Sequence, residues 1–285
     1  MPRFLTGLVL AGTLAVATVQ PAASPDRARA ETTRRVFFSA TDARGLPVTD
    51  LSAAELTLKE GGRDRPIATL RPANGPLQIS ILVDDAGQGF FEGPVGYFVG
   101  RMMGRAEIAI SMLNPQPFAL VDFTTDSSAL LAAVRKLIQR GRIQQDGRQV
   151  AEAVAWAAGT LRRRESARPV ILVLTATGES GTLDIDDSIL RELKASAASL
   201  HVVHLNGVDL GMVLSEGPKF SGGTLASAAN SDSLRDTLVR IVAGLQNQYE
   251  LTYVLPDGTK PSDRLQLQTT RKGVTLLSPQ RLAEN

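Results

Sequence analysis

Two adjacent aspartates, Asp84 and Asp85, follow an apolar run in the stretch "ILVDDAGQGF" over residues 81–90. An apolar run bounded by small, turn-forming residues predicts a buried strand, so both carboxylates are expected at the carboxyl end of that strand. Open α/β sheets build their ligand sites outside this edge. Two carboxylates placed there could hold a divalent cation, or act as acid and base in catalysis.

The groups that paired-carboxylate catalysis would also need are not found at useful positions. Asp122, in "PFALVDFTT", supplies a second acidic strand end, but no lysine follows it where it could help. His201 and His204 are three residues apart on one predicted strand, so they face opposite sides and do not share a metal; one is expected to be packed and the other exposed. No serine lies in a G-x-S-x-G setting, and "SGGT" at 221–224 is not followed by a Walker lysine. We therefore expect no enzymatic activity and no cofactor.

The first 30 residues are expected to be an export signal. Arg3 supplies the positive end, residues 4–19 are apolar, and Ala28-Arg29-Ala30 matches the small-x-small cleavage rule. A retained membrane anchor is the alternative, although this apolar run is short for a full span. The sequence has no cysteine that could accept a lipid. We expect a released chain in the periplasm or outside the cell, without stable membrane insertion.

Export also changes the charge of the chain. Of its 31 basic and 29 acidic residues, three basic and one acidic lie in residues 1–30, which leaves 28 of each. A chain without excess positive charge has no general attraction to phosphate backbones, and aromatic residues make up only 5% of the sequence. Nucleic acid is therefore not an expected partner.

Hydrophobic periodicity divides the rest of the chain into three regions. Residues 31–75 and 247–285 read as short alternating strands separated by turns. In residues 76–246, continuous apolar strands alternate with amphipathic helices, which predicts a mostly parallel sheet covered on both faces; residues 93–113 are predicted to be helical. Neither flank is long enough to bury a core alone, so we expect the two flanks to pair with each other.

Four segments carry a resemblance to a known family: "DARGLPVTDLSAAELTLKEGGRDRPI" (42–67), "ILVDDAGQ" (81–88), "VILVLTATGES" (170–180) and the stretch from "FSGGT" to "YVLP" (220–256). In this order and spacing they resemble the bacterial exported proteins with a von Willebrand factor type A domain, often labelled VWFA-related. The resemblance covers nearly all of the chain after residue 30. It implies a Rossmann-like type A domain at 76–246, with a small β-rich module formed by the two flanks.

The same resemblance implies a divalent-cation site and shows where this chain departs from it. The family's ligands are the Asp and two Ser of D-x-S-x-S, a Thr from a later loop, and the Asp of L-T-D-G. Asp84 keeps the first aspartate, whereas Ala86 and Gln88 replace the serines, Arg148 replaces the threonine and Ala176 replaces the second aspartate. With four of five ligand positions changed, we expect no bound metal.

Two arrangements are open for the carboxylate that remains. In one, the Arg148 guanidinium replaces the cation and pairs with Asp84 or Asp85, and Gln88 fills the remaining hydrogen bonds. In the other, Arg148 points to solvent and Asp84 accepts backbone N–H groups from its own turn. The expected function is an exported, non-enzymatic protein–protein interaction module. The alternatives are a periplasmic small-ligand or metal-dependent binding protein and, less favoured, an exported hydrolase.

Overall fold

The computed structural model describes residues 32–85, 87–114, 116–137, 148–178 and 183–283, without the side chains of 148 and 183–185. The signal expected over residues 1–30, Ala86 and the side chain of Arg148 lie outside the described part. The elements in chain order are β1 (Thr32–Thr41), β2 (Leu56–Glu60), β3 (Arg63–Asp64), β4 (Ile67–Pro72), β5 (Leu77–Asp84), α1 (Glu92–Met102), β6 (Ala106–Met112), β7 (Phe118–Thr124), α2 (Ser127–Val134), α3 (Arg148–Arg163), β8 (Arg168–Thr175), α4 (Leu183–Ser196), β9 (Ser199–Leu205), α5 (Met212–Ser221), β10 (Leu225–Ala228), α6 (Ser231–Gln246), β11 (Tyr249–Leu255), β12 (Leu265–Thr269) and β13 (Thr275–Leu277). None of the helices in the described ranges is both long and apolar enough to span a membrane.

A six-stranded sheet forms the centre of the molecule, in the order β10-β9-β8-β5-β6-β7. Every neighbouring pair is parallel except β6 and β7, which are antiparallel. The chain therefore moves outward from β5 to one edge and then from β8 to the other, which is the doubly wound order with a switch point between β5 and β8. The expected Rossmann-like, mostly parallel sheet is confirmed.

Helices cover both faces of this sheet. One apolar core lies beneath α1, α2 and α6 and includes Ile79, Ile81 and Val83 of β5. The other lies beneath α3, α4 and α5 and includes Leu82 of the same strand. Because successive side chains of a strand point to opposite faces, a strand buried on both sides must be apolar along its whole length.

The helix predicted over 93–113 is partly wrong. Helix α1 ends at Met102, Gly104 takes a left-handed φ of 74°, and residues 106–112 form β6. Ile108 and Ile110 of β6 are fully buried in the central sheet. A short apolar run fits a buried strand as well as a buried helix, so the periodicity did not separate the two.

Two elements between β9 and α6 were not predicted: helix α5 and strand β10. Between them, the backbone at Gly223 passes so close to β9 that a Cβ there would lie 1.8 Å from the Leu200 carbonyl oxygen. Glycine at this position lets β10 join the sheet edge.

The two flanks together build the additional β-rich part of the molecule. One sheet has the order β13-β1-β11-β4 and the other β12-β2-β3. Strand β11, from the C-terminal flank, lies antiparallel between β1 and β4 of the N-terminal flank. The sheets share one core, in which the rings of Phe38 and Tyr249 stack with centroids 5.2 Å apart.

A buried ionic cluster joins three strands of these two sheets. Glu60 of β2 is fully buried, and its Oε1 accepts from Arg34 Nη1 at 2.6 Å and from the Tyr253 hydroxyl at 3.2 Å. Arg65 Nε lies 3.3 Å from the other carboxylate oxygen. Burial raises the pKa of Tyr253, so its hydroxyl keeps the proton that it donates to Glu60.

Candidate functional site

Three strand ends meet at the carboxyl edge of the central sheet. Asp84 ends β5 and is paired in register with Thr175, which ends β8. Asn114 lies two residues after β6 ends. The Ala176 N–H donates to the Asp84 carbonyl oxygen at 2.7 Å and extends the β5–β8 contact by one residue.

The carboxylate of Asp84 is 0% exposed and is held by three neutral donors. Its Oδ1 accepts from Asn114 Nδ2 at 2.6 Å. Its Oδ2 accepts from the hydroxyls of Thr175 and Thr177, each at 2.5 Å. Hydrogen bonds of this kind offset part of the cost of burying a carboxylate.

The hydroxyl of Thr175 also connects Asp84 to the turn after β8. While it donates to Asp84, it accepts from the N–H groups of Thr177 at 3.2 Å and Gly178 at 2.8 Å. Gly178 has a φ of 84°, and a Cβ there would lie 2.1 Å from the Asp209 carbonyl oxygen. The turn therefore packs directly against the chain that follows β9, which closes this side of the site.

Asp85 is 1% exposed, and its carboxylate accepts hydrogen bonds from the backbone of the turn that follows it. Its oxygens accept from the N–H groups of Gly87 at 2.7 Å and Gly89 at 3.1 Å. Both glycines have positive φ, 79° and 73°. Local side-chain-to-backbone bonds of this kind hold tight turns. The backbone contacts that one alternative expected at Asp84 are thus found at Asp85.

Of the other predicted site residues, none in the described part of the chain places a side chain on Asp84. Ala176 contributes its backbone N–H, and Gln88 is exposed. Arg148 begins α3, but its side chain and Ala86 lie outside the described part, so the pairing of Arg148 with an aspartate stays a prediction.

The remaining candidates do not join this site. Asp122 is exposed on β7. His201 is 5% exposed, neither of its ring nitrogens has a hydrogen-bond partner in the described part of the chain, and burial lowers its pKa to about 4. His204 is half-buried, with Nδ1 3.0 Å from the Leu205 carbonyl oxygen, so the expectation that one histidine is exposed is wrong.

The Asp84 carboxylate is held by donors from the chain itself. Magnesium is held by several oxygen ligands and usually keeps several waters. Here the amide of Asn114 and the hydroxyls of Thr175 and Thr177 all direct hydrogens toward Asp84, so both carboxylate oxygens are already engaged. Within the described ranges, no three His, Cys, Asp or Glu side chains are grouped so that they could hold a metal ion.

Two exposed aromatic residues lie at the same edge of the sheet as Asp84. Phe90 follows the Asp85 turn. Phe118 begins β7 and is paired with Met112, the last residue of β6. Each phenylalanine is 40% exposed. Gln88 lies exposed in the Asp85 turn. Trp156, 52% exposed, lies away from this edge within α3.

No protein family model and no curated protein matches this sequence. Among solved structures, the chain is similar to the VWA domain of SpRpn10, with 14% identity over 57% of this chain and 94% of that one and a TM-score of 0.43. It is also similar to the PilB minor pilin from Streptococcus sanguinis (9% identity, 61% of this chain, 62% of that one, TM-score 0.45). A third is proximal thread matrix protein 1 from the mussel byssus, with a zinc-occupied MIDAS motif (11% identity, 66% of this chain, 49% of that one, TM-score 0.47).

These likenesses concern the fold alone. The strand order β7-β6-β5-β8-β9-β10, in which only β7 is antiparallel, is a doubly wound arrangement and agrees with the mostly parallel sheet expected from the sequence. The central domain has a doubly wound, Rossmann-like fold with one antiparallel edge strand.

Proposed function

We propose that this chain is an exported, non-enzymatic protein–protein interaction module whose type A domain has lost its metal site. The observation that carries the proposal is the closed carboxylate of Asp84, whose two oxygens are engaged by Asn114, Thr175 and Thr177. These three neutral donors stabilise the buried carboxylate, which a bound cation stabilises in the family that the sequence resembles.

The same geometry opposes the alternatives that need chemistry at this edge. A general base must have a basic atom within hydrogen-bond reach of a substrate proton. Asp84 is fully buried, and Asp85 is held by the N–H groups of its own turn. A hydrolase or a metal-dependent binding protein would require both groups to leave these contacts.

The surface around the closed carboxylate supports a protein partner. Large aromatic side chains contribute much of the binding energy at protein interfaces, where charged residues are depleted from the centre. Phe90 and Phe118 provide such side chains at the sheet edge, and Gln88 offers a neutral amide beside them. We propose that the partner contacts this edge without a bridging metal.

Metal independence is tested by titrating magnesium, calcium and manganese to millimolar concentrations while the melting temperature and the heat of binding are measured. We expect no saturable change. A saturable rise in melting temperature that is abolished by Asp84→Ala would establish a cation site and contradict the proposal.

The contact surface is tested by cross-linking the chain to its partner in the native envelope and comparing variants. The double variant Phe90→Ala, Phe118→Ala should weaken capture about 10-fold or more, because truncating a residue at the energetic centre of an interface costs about 2 kcal/mol or more. Trp156→Ala is the matched control, since it removes an exposed aromatic from α3. Capture that needs a divalent cation, or that only Trp156→Ala weakens, would refute this surface.

A further inference from the structure

A cavity of about 500 Å³ lies at the opposite edge of the central sheet, where β8 and β9 begin. Its walls come from β1, the last turns of α4 and α5, and the chain at 279–283. The Asp84 site lies at the other end of β8, so the two are separate. Ligand cavities commonly have this size and combine apolar walls with a few polar groups.

Positive charge predominates around this cavity. Its lining contains two acidic residues, Asp187 and Asp263, and five basic ones: Arg35, Arg168, Arg191, Lys194 and Arg281. Asp263 lies 3.5 Å from Lys194 and 3.1 Å from Arg281. In the described part of the chain, the other three basic side chains have no carboxylate within salt-bridge distance. An anion would therefore be attracted to the cavity.

Arg168 places a buried charge at the cavity wall. It is 7% exposed, and its N–H groups donate only to neutral acceptors: the carbonyl oxygens of Ala73, Gly75 and Leu245 and the side-chain oxygen of Gln248. These bonds fix the guanidinium, which has no described carboxylate within salt-bridge distance; burial lowers its pKa, and Glu250, paired with Arg71, opposes this only from farther away. A buried cation in this state is stabilised when an anion binds nearby.

Two serine hydroxyls at the same wall lack partners. The Oγ atoms of Ser166 and Ser199 are buried and have no hydrogen-bond partner in the described part of the chain. Both residues line the cavity, one just before β8 and the other at the start of β9. Buried hydroxyl groups are nearly always paired, so two orphans in one cavity indicate a missing acceptor.

Apolar side chains complete the lining. The Phe37 ring lies near two cations, with its centroid 5.4 Å from the Arg35 guanidinium and 5.8 Å from that of Arg168. Phe220 lies 5.8 Å from the guanidinium of Arg281. The lining also includes Leu190, Pro279 and Leu282. A bare inorganic anion would leave these apolar surfaces without contact.

We propose that this cavity binds a small organic anion, with one carboxylate and an apolar body. The hydroxyls of Ser166 and Ser199 donate to the carboxylate, whose charge is balanced by Arg168 and Arg191. The apolar body packs against Phe37 and Phe220. This activity is independent of the protein-binding edge, so either proposal can fail without the other.

The ligand class is tested by calorimetry on the full chain with four probes. Decanoate and 2-naphthoate each carry a carboxylate and an apolar body, whereas decanol has no charge and acetate has almost no body. We expect saturable binding of at least one of the first two, about 10-fold or more tighter than decanol and acetate. Whichever of the two binds tighter identifies the apolar body as aliphatic or aromatic. Equal binding of decanol, equal binding of acetate, or no binding of either organic anion would overturn the proposal.

The site is tested with Ser199→Ala and Arg191→Gln. Each should weaken binding of the tighter organic anion about 10-fold, because each removes a group that contacts or balances the carboxylate. The melting temperature should not fall with Ser199→Ala, since Ser199 Oγ bonds no group in the described part of the chain. Arg105→Gln, on an exposed turn after α1, is the matched control and should bind normally. Unchanged binding in both site variants would place the ligand elsewhere and refute the proposal.

Discussion

At the residue scale, the hydroxyl of Thr175 has three contacts that depend on one atom. It donates to Asp84 and accepts from the N–H groups of Thr177 and Gly178. Thr175→Val keeps the shape of the side chain and removes the hydroxyl. The variant should lower the free energy of unfolding by about 2–4 kcal/mol, because a buried carboxylate, the buried N–H of Gly178 and the part-buried N–H of Thr177 each lose a partner. Urea unfolding at neutral pH measures this change.

Thr69→Val is the control for that substitution. Thr69 lies at an exposed position of β4, so the same change there should alter the free energy of unfolding by no more than about 0.5 kcal/mol. Equal losses in the two variants would show that the Thr175 hydroxyl has no special role at Asp84.

His201 should make stability depend on pH. Burial lowers its pKa from the ordinary value of 6.5 to about 4, so between these values the unfolded chain binds a proton that the folded chain does not. The stabilising contribution is therefore complete above pH 6.5 and is lost as pH falls toward 4. The total loss should be about 3 kcal/mol, and about 2 kcal/mol of it should appear between pH 6.5 and 5.

Replacing each histidine in turn isolates this effect. His201→Leu should lose about 2 kcal/mol less than the parent chain between pH 6.5 and 5, since its side chain binds no proton. His204→Gln replaces the other histidine, which is half-buried, and should keep the steep profile of the parent. Parallel stability profiles for the parent and His201→Leu would rule out His201 as the titrating group.

The sequence was sufficient to place Asp84 but not to identify its partners. An aspartate after an apolar run must lie near the end of that strand, whereas Asn114, Thr175 and Thr177 reach it only through the register of three strands. The family resemblance points to Ala176, yet the side chains that reach Asp84 belong to its two neighbours, Thr175 and Thr177. Residues at i and i+2 of an extended chain share a face, so the pattern T-x-T that begins at the last residue of a buried strand was the usable signal.

At the element scale, β11 holds the flanking β-rich part together. It lies between β1 and β4, and Leu251 at its centre is fully buried. Leu251→Ala should lower the free energy of unfolding by about 2–5 kcal/mol, because it leaves a cavity in the core shared by both flanks. Denaturant unfolding measures the loss.

A truncation tests the same element more severely. Deleting 247–285 should expose the apolar faces of β1 and β4, so the truncated chain should bind a hydrophobic dye and aggregate. For the point variant Leu251→Ala, the control is Leu225→Ala. It truncates an exposed leucine of β10 and should change the free energy of unfolding much less. A truncated chain that melts as cooperatively and as high as the whole chain would show that the flanks do not depend on each other.

Elements with a strong pattern were predictable, and ambiguous ones were not. Strand β8 is buried at all eight positions and was evident from its continuous apolar run. Strand β6 was assigned to a helix because its apolar run follows α1 after only three residues. Helix α5 contains Gly217 and Pro218, which lower the helix propensity of its sequence.

At the scale of the whole molecule, export predicts a shorter mature chain. Protein recovered from the native envelope should begin at or near Glu31, as read by N-terminal sequencing. Its isoelectric point should be lower than that of the full chain, because removal of residues 1–30 leaves equal numbers of basic and acidic residues. An envelope-anchored species that still begins at Met1 would favour the retained anchor.

Strand β8 runs from the cavity to the Asp84 site, so it is the direct connection between the two proposed binding sites. Arg168 at its start lines the cavity, and Thr175 at its end holds Asp84. Seven residue steps of strand separate them, which is about 23 Å. The strand is buried along its whole length and hydrogen-bonded to β5 on one side and β9 on the other. It therefore has no alternative conformation through which binding at one end could change the affinity at the other end. A small anion and a protein partner should therefore bind without cooperativity, each with the same dissociation constant whether or not the other is present.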